Sequence, residues 1–315
     1  MLPPSPPRAE RIPGLIVIIP AHNEDRFIGS VVLKARQYVD TVIVVDDGST
    51  DRTAQVAEAA GAIVIQHTVN KGYGAAIDSA LAKAREMEAE ATVLIDADGQ
   101  HKPEQIPSLV EPILAGRADM VVGSRYLHED RDLPRNRMAA HRVVTAMTNI
   151  GSGIKLSDSQ CGFRAFSRRA IAEATLSRQG MSAASEFQFL AHQHHWRVEE
   201  VPVTILYGGE LKRSLLNHGL EVVNGIVLLV SRARPLLFFV VPGLLMLIAG
   251  AFFSGFVIIR YQQIQQVAIG RALAALLLIQ IGVLAMFTGI ILHSLRAMLL
   301  DLMNSPGRSK ERNKE

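Results

Sequence analysis

Three clusters of polar residues stand directly behind apolar runs. Pro20-Ala21-His22-Asn23-Glu24 follows Leu15–Ile19, Asp46-Asp47-Gly48-Ser49-Thr50-Asp51 follows Val42–Val45, and Asp96-Ala97-Asp98-Gly99-Gln100-His101 follows Thr92–Ile95. Folding of a sheet requires none of these carboxylates. Unpaired carboxylates that converge on one edge repel each other, so a cation or a set of donors must balance them. Asp96 and Asp98 alternate at a strand end and can share one face. With the Gln100 carbonyl they can reach one Mg²⁺ or Mn²⁺, ions that keep open positions for phosphate oxygens. In isolation Asp-x-Asp-Gly is equally the chemistry of a surface turn.

Other reactive side chains carry weaker signals. Cys161 is the one cysteine in 315 residues, which excludes an internal disulfide and a Cys-based zinc site. It is expected to pack rather than to act as a nucleophile. His192, His194 and His195 suggest a metal cluster, but adjacent and i,i+2 spacing spreads them over different faces of a helix.

The elements that must position these clusters alternate. Strand-like runs at Leu15–Ile19, Val42–Val45, Ile63–Ile65, Thr92–Ile95 and Met120–Val122 are separated by helical stretches at Arg26–Arg36, Thr53–Ala60, Ala75–Glu88 and Glu104–Leu114. Uninterrupted aliphatic strands between helices predict an α/β domain whose parallel sheet is covered on both faces. Ligands of such sheets bind at the carboxyl ends of strands, where the three clusters stand.

Five motifs in order carry a resemblance. They are Ile19-Pro20-Ala21-His22-Asn23-Glu24, Val45-Asp46-Asp47-Gly48-Ser49-Thr50-Asp51, Asn70-Lys71-Gly72-Tyr73-Gly74, Asp96-Ala97-Asp98-Gly99-Gln100-His101 and Val122-Gly123-Ser124-Arg125-Tyr126. Over about Leu15–Tyr207 the chain resembles the family 2 glycosyltransferases of GT-A fold. Within them it resembles the polyprenyl-phosphate sugar transferases such as the dolichol-phosphate mannosyltransferases. The resemblance implies a mainly parallel sheet and a nucleotide-diphosphate sugar donor, GDP- or UDP-linked. Pro20, Ala21, Glu24 and Asp47 would line the base and ribose, with Lys71 and Gly72 approaching the nucleotide. Asp96, Asp98 and Gln100 would hold the metal on the diphosphate, and Arg125 would contact phosphate. His22 replaces the tyrosine usual in the first motif.

Further along, Ser157-Asp158-Ser159-Gln160-Cys161-Gly162-Phe163-Arg164-Ala165-Phe166 is similar to the family's acceptor-side segment. Arg164 could bind a phosphate or pair with Asp158. Glu186 takes the place of an acidic residue near the sugar. Lys212 and Arg213 stand where an anionic lipid head would meet the site, or attract anionic lipids generally. Gln193-His194-His195-Trp196-Arg197 nearly spells the Gln-x-x-Arg-Trp motif of processive synthases, with its last two residues reversed. That favours transfer of a single sugar. The resemblance implies inversion at the anomeric carbon. Catalysis is expected to involve Asp98, Arg125 and Arg164, and a lipid phosphate, already ionised, needs no strong general base. Two alternatives are a family 2 transferase acting on another membrane glycolipid or polymer, and a non-catalytic nucleotide-binding membrane partner.

Leu236–Ile259 and Ala272–Leu292 are uncharged and long enough to cross a roughly 30 Å hydrocarbon core. Arg232 and Arg234 precede the first, and Arg296, Arg308, Lys310, Arg312 and Lys314 follow the second, against Arg260 and Arg271 between them. This bias predicts a two-helix, multi-pass membrane protein with both termini and the catalytic domain cytoplasmic. Leu216, Leu220, Val223, Val227 and Val230 recur at helical spacing and suggest an interfacial helix. The Pro-rich start, with no basic n-region, is not expected to be a signal peptide. The expected organisation is a flexible tail (1–13), a catalytic domain (14–212), an interfacial helix region (213–234), a transmembrane hairpin (235–293) and a basic tail (294–315). Aromatics at 5% and a net charge of +3 exclude nucleic acid as a partner; homo-oligomerisation is left open.

Overall fold

The computed structural model of the chain describes residues 11–127, 135–176, 183–206, 231, 235–265 and 269–303. The expected Pro-rich tail (apart from residues 11–13), Lys212, Arg213, the interfacial helix and the basic residues after 303 lie outside the described residues. The chain divides into two units, Met1–Val227 and Leu228–Glu315.

The first unit is built on seven strands: β1 (Leu15–Ala21), β2 (Thr41–Asp46), β3 (Ile63–Gln66), β4 (Ala91–Leu94), β5 (Met120–Ser124), β6 (Arg164–Ser167) and β7 (Val198–Pro202). Their order in the sheet is β3-β2-β1-β4-β6-β5-β7. All pairs are parallel except those of β6, which runs antiparallel to both β4 and β5. The sheet is therefore mainly parallel, with one reversed strand that the aliphatic pattern does not announce. β6 begins with an arginine and β7 is Val-Glu-Glu-Val-Pro, so neither reads as an apolar run.

Every residue of β1 and β4 is buried, as strands covered on both faces must be. The helices cover them with apolar stripes at helical spacing. In α1 (Ile28–Ala35) the buried residues are Ile28, Val31, Val32 and Ala35. In α4 (Ile106–Leu114) they include Ile106, Leu109, Val110 and Ile113. Between them come α2 (Thr53–Ala59) and α3 (Tyr73–Glu86). The helices α5 (Arg135–Ser152), α6 (Arg168–Glu173) and α7 (Ala183–Gln193) complete the unit. From β1 the sheet grows in one direction through β2 and β3, and in the other through β4. The carboxyl ends of β1 and β4 thus flank a topological switch point, the usual crevice for ligands in open sheets.

Arg164 corrects the sequence reading. It opens β6 between Leu94 of β4 and Val122 of β5 and is fully buried. Its Nε donates to the Cys161 carbonyl (2.9 Å) and its Nη2 to the Ser159 carbonyl (2.7 Å). The guanidinium lies 5.8 Å from the Phe187 ring centre, and burial lowers its pKa. Such a side chain clamps the bend at 159–161 from inside and has no exposed face for a lipid phosphate or a leaving group. Nor does it pair with Asp158, which is held by Arg125 instead.

The second unit is a helical hairpin. One turn of π-helix (Leu236–Val240) leads into α8 (Val241–Ile264), followed by α9 (Ile269–Met303). The segments Leu236–Ile264 and Ile269–Leu295 are long and apolar enough to cross a membrane. The two helices approach closely through small residues. A Cβ on Gly243 would lie 2.7 Å from the Gly282 carbonyl oxygen, and one on Gly250 would lie 2.7 Å from Ile279. Small residues at the seam let backbones pack where no water drives association. Large apolar side chains such as Leu245, Phe252, Leu284 and Phe287 face outward, the arrangement a lipid environment favours.

Arg164→Ala removes two donors from buried carbonyls. We expect a loss of about 2 kcal/mol in stability, read as a lowered melting temperature of the detergent-solubilised chain. An unchanged melting curve would show that the two hydrogen bonds do not clamp the bend.

Candidate active site

The crevice has a side built by the loops after β1 and β2. His22 donates from Nδ1 to the Asp47 carbonyl (2.9 Å), in the tautomer that lets its Nε2 accept from Asn23 (3.2 Å). The Asn23 N–H donates to Ser49 Oγ (2.9 Å), and the Thr50 N–H donates back to Asn23 Oδ1 (2.8 Å). The Glu24 N–H is satisfied by Thr53 Oγ1 (2.8 Å). The two loops are thus stitched into one wall. Pro20 and Ala21 are buried at the end of β1, in register with Val45 and Asp46.

Asp47 has a different role from the nucleotide contact that its motif implies. It is buried, and its Oδ1 accepts from His67 Nδ1 (2.7 Å) and from the Lys71 N–H (2.9 Å). Its Oδ2 accepts from the Gly72 N–H (2.8 Å). His67 is fixed at its other nitrogen by Ser79 Oγ (2.9 Å). Asp47 therefore shapes the 70–72 loop instead of presenting a carboxylate. Gly48 adopts φ +70, and a Cβ there would lie 2.6 Å from the Asn70 nitrogen, so only glycine allows this loop to close. Lys71 is exposed beside it.

Beyond β4 stand Asp96 and Asp98. The Tyr73 hydroxyl, at the start of α3, donates to Asp96 Oδ1 (2.6 Å). His101 Nδ1 is buried without a hydrogen bond, 3.6 Å from Asp96 Oδ2. Burial lowers the His101 pKa, so the ring is neutral near pH 7. On another side, Gly162 presses on the same carboxylate: a Cβ there would lie 2.4 Å from Asp96 Oδ2. Asp98 accepts from the Gln100 N–H (3.0 Å). Its pKa is pushed up to about 6 by burial, and also by the charges of Asp96 and Glu24. The Gln100 backbone carbonyl accepts from the Leu206 N–H (2.8 Å).

The donors gathered here are hard oxygens, and among the described residues no cationic side chain pairs with Asp98. That chemistry fits a hard divalent ion. No group of three or more His, Cys, Asp or Glu side chains with metal-ligand spacing occurs among the described residues, which includes the His192–His195 stretch. His194 instead stacks on Trp196 at 5.9 Å and faces Glu173 at 3.7 Å.

The opposite wall follows β5. Arg125 donates from Nε and Nη2 to the two carboxylate oxygens of Asp158 (2.5 and 2.7 Å). Its Nη2 also lies 3.2 Å from His141 Nδ1. Burial alone would raise Asp158, but the paired guanidinium holds it below the usual carboxylate range. Glu200 of β7 anchors this loop by accepting from the Ser157 N–H (2.8 Å) and the Asp158 N–H (3.2 Å). Cys161 is buried, which pushes its thiol up to about 12 and keeps it protonated, as expected of a packing residue. Glu186 sits half-buried in the first turn of α7.

The fold thus places the clusters after β1, β2 and β4 at adjoining strand ends. It moves Arg164 into the interior and turns Asp47 toward the 70–72 loop. His67, Tyr73, His141 and Glu200 are site-supporting residues that sequence reasoning missed as individuals. Tyr73 alone sat inside a motif; the others are single polar residues whose partners are 16 to 43 positions away.

Residues 16–174 match "Glycosyl transferase family 2". The chain is 30% identical over 224 residues to undecaprenyl-phosphate mannosyltransferase of Micrococcus luteus, covering 67% of this chain and 91% of that protein. It is 32% identical over 215 residues to UDP-N-acetylglucosamine--dolichyl-phosphate N-acetylglucosaminyltransferase of Methanococcus voltae, covering 61% and 86%. Among solved structures, glucosyl-3-phosphoglycerate synthase from Mycobacterium tuberculosis, in complex with Mn²⁺ and UDP-glucose, has the same fold. Its TM-score is 0.53 at 23% identity, covering 70% of this chain and 78% of that one. The family match, the mainly parallel GT-A sheet and these relatives lead to one conclusion: the chain belongs to glycosyl transferase family 2 and is a glycosyltransferase.

Proposed function

We propose that this glycosyltransferase moves one sugar from a nucleotide-diphosphate sugar to a polyprenyl phosphate at a membrane, with inversion and with the help of a divalent cation. The observation that carries the reading is Asp98, paired with no cation among the described residues, beside Asp96 at the switch point, in a chain that also has a hairpin long enough to span a bilayer. Relatives whose names include undecaprenyl-phosphate and dolichyl-phosphate acceptors support the lipid. The fold neighbour with Mn²⁺ and UDP-glucose supports the donor class and the cation.

In this reading Asp96, Asp98 and Gln100 hold the cation, Mg²⁺ or Mn²⁺. The bound ion supplies neutralisation of the departing diphosphate. Pro20, Ala21, Glu24, Lys71 and Gly72 form the nucleotide wall, with Asp47 acting through the loop it holds. Arg125, fixed in orientation by Asp158, meets phosphate. Glu186 lies toward the sugar. Lys212 and Arg213 serve the lipid phosphate, a role that Arg164 cannot take from the interior. An ionised acceptor oxygen needs positioning more than deprotonation, so alignment carries most of the rate. The catalytic domain (14–212), the interfacial segment (213–234) and the hairpin (235–293) keep the reacting groups at the bilayer surface, because the acceptor's tail stays in lipid.

The direct test is incubation of membranes containing the chain with a panel of labelled GDP- and UDP-sugars. A lipid-extractable product that is acid-labile and carries one sugar is expected. Label that appears only in a polymer or a soluble product would sink the polyprenyl reading.

Asp98→Asn should abolish transfer yet stabilise the metal-free chain. The folded-state pKa of Asp98, about 6, lies above its ordinary value. The folded state therefore binds the proton more tightly. Stability is penalised progressively as pH rises from about 4 through about 6, and fully above that. The neutral amide removes this penalty, so we expect a gain of about 2 kcal/mol at pH 7.5 in chelator and little gain at pH 4. Equal effects at both pH values would contradict the charge argument.

Arg232 and Arg234 before the hairpin, with the basic residues beyond it, outnumber Arg260 and Arg271 between the helices. Both ends of the hairpin are expected on the cytoplasmic side. A C-terminal reporter active only outside the cell would refute that orientation.

A further inference from the structure

We propose that Tyr73 is a positioning residue that makes the cation-binding geometry of Asp96 depend on the state of the 70–72 loop. This rests on the divalent-cation reading of Asp96 and Asp98. Four observations meet at this side chain. Tyr73 opens α3 directly after Lys71 and Gly72, whose N–H groups are gripped by Asp47 (2.9 and 2.8 Å). Its ring packs against the hydrophobic core. Its hydroxyl donates the one hydrogen bond that the Asp96 carboxylate accepts among the described residues (2.6 Å). The other carboxylate oxygen is backed by Gly162, where even a methyl group would collide at 2.4 Å.

Asp96 is therefore flanked on Oδ2 by Gly162 and the buried His101 ring (3.6 Å), and on Oδ1 by its hydrogen-bond donor, the Tyr73 hydroxyl. Its place is set by the first turn of α3. That turn follows a loop whose shape is fixed by Asp47, itself braced by His67 and, through it, Ser79. A path of hydrogen bonds thus runs from Ser79 through His67, Asp47 and the loop backbone to Tyr73 and Asp96. None of its members before Asp96 is a cation ligand. If the loop opens, Tyr73 is carried off Asp96 and the carboxylate loses its preferred orientation. Ligating carboxylates depend on such outer hydrogen bonds for their affinity. Because binding linkage is reciprocal, a nucleotide that closes the loop would tighten cation binding, and a bound cation would favour the closed loop. A tyrosine that only packed α3 onto the sheet would lack the hydroxyl's contribution altogether.

The test uses the full-length, detergent-solubilised chain as wild type, Tyr73→Phe, Asp47→Asn and the double variant. Mn²⁺ alone is titrated and free Mn²⁺ is read by electron paramagnetic resonance, with no turnover involved. UDP binding is measured separately in chelator, and melting curves are recorded. Tyr73→Phe should weaken Mn²⁺ binding on the order of tenfold, with UDP binding in chelator unchanged and melting shifted by less than about 2 °C. Asp47→Asn should also weaken Mn²⁺ binding although it touches no ligand oxygen. In the double variant the two losses should fall short of additive, as expected for residues acting through one path. Wild-type Mn²⁺ affinity in Tyr73→Phe overturns the proposal and leaves the cation reading standing. Fully additive losses overturn the shared path. A wild-type chain that takes up no Mn²⁺ overturns the cation reading and this proposal with it.

Discussion

Everything at the switch point answers to one constraint: acidic side chains are brought to neighbouring strand ends in a partly dehydrated crevice. Charges that water would screen interact strongly there. The chain resolves this in three different ways. Asp47 is saturated by two backbone N–H groups and a histidine. Asp158 is matched by both arms of a guanidinium. Among the described residues nothing of opposite charge matches Asp98, which is pushed up to about 6 by burial and by its acidic neighbours. The first two are solved problems and serve the architecture. The third is a stored imbalance, and perturbed groups of that kind concentrate where chemistry is done.

The two walls of the crevice are built by different physics. The wall after β1 and β2 is made from short side chains that bond to backbone N–H groups, chiefly Asn23, Ser49, Thr53 and Asp47. Such bonds fix loop shape with little side-chain entropy at stake. The wall after β5 relies on a buried ion pair and a carboxylate, Glu200, that accepts from two successive N–H groups. A buried pair contributes little net stability over an apolar core, but breaking it by removing one partner is expensive. It fixes Arg125 in one orientation. Arg164 performs a related service from inside the sheet, holding the bend that presents Gly162 to Asp96.

The helical hairpin follows separate rules. Its seam is made of glycines whose replacement would drive a Cβ into the facing backbone, while its outer surface is almost wholly apolar. In water that surface would be a liability; in hydrocarbon it costs nothing, and packing at the seam becomes the main adhesive. The catalytic sheet and the apolar hairpin are thus encoded in separate stretches of the chain, each with its own composition.

Much of this was legible in the residues themselves. Aliphatic runs separated by amphipathic helices fixed the parallel core, because burial on both faces leaves no other composition for a strand. The acidic clusters were legible because they stand immediately behind those runs, so that local order alone puts them at strand ends. The uncharged length of the hairpin helices spoke for itself. What the sequence could not decide was which partner each polar residue would find. Asp158 has an arginine six positions ahead, Arg164, and another thirty-three behind, Arg125; the antiparallel insertion of β6 buries the near one and delivers the far one. Asp47 looked like a ligand contact until the fold carried His67 and the Lys71 and Gly72 N–H groups onto it. Tyr73 became a neighbour of Asp96 only because α3 starts beside the end of β4. Pairings of this kind depend on sheet order and on the direction of a single strand, and those are set by the packing of the whole domain and leave no trace in local composition.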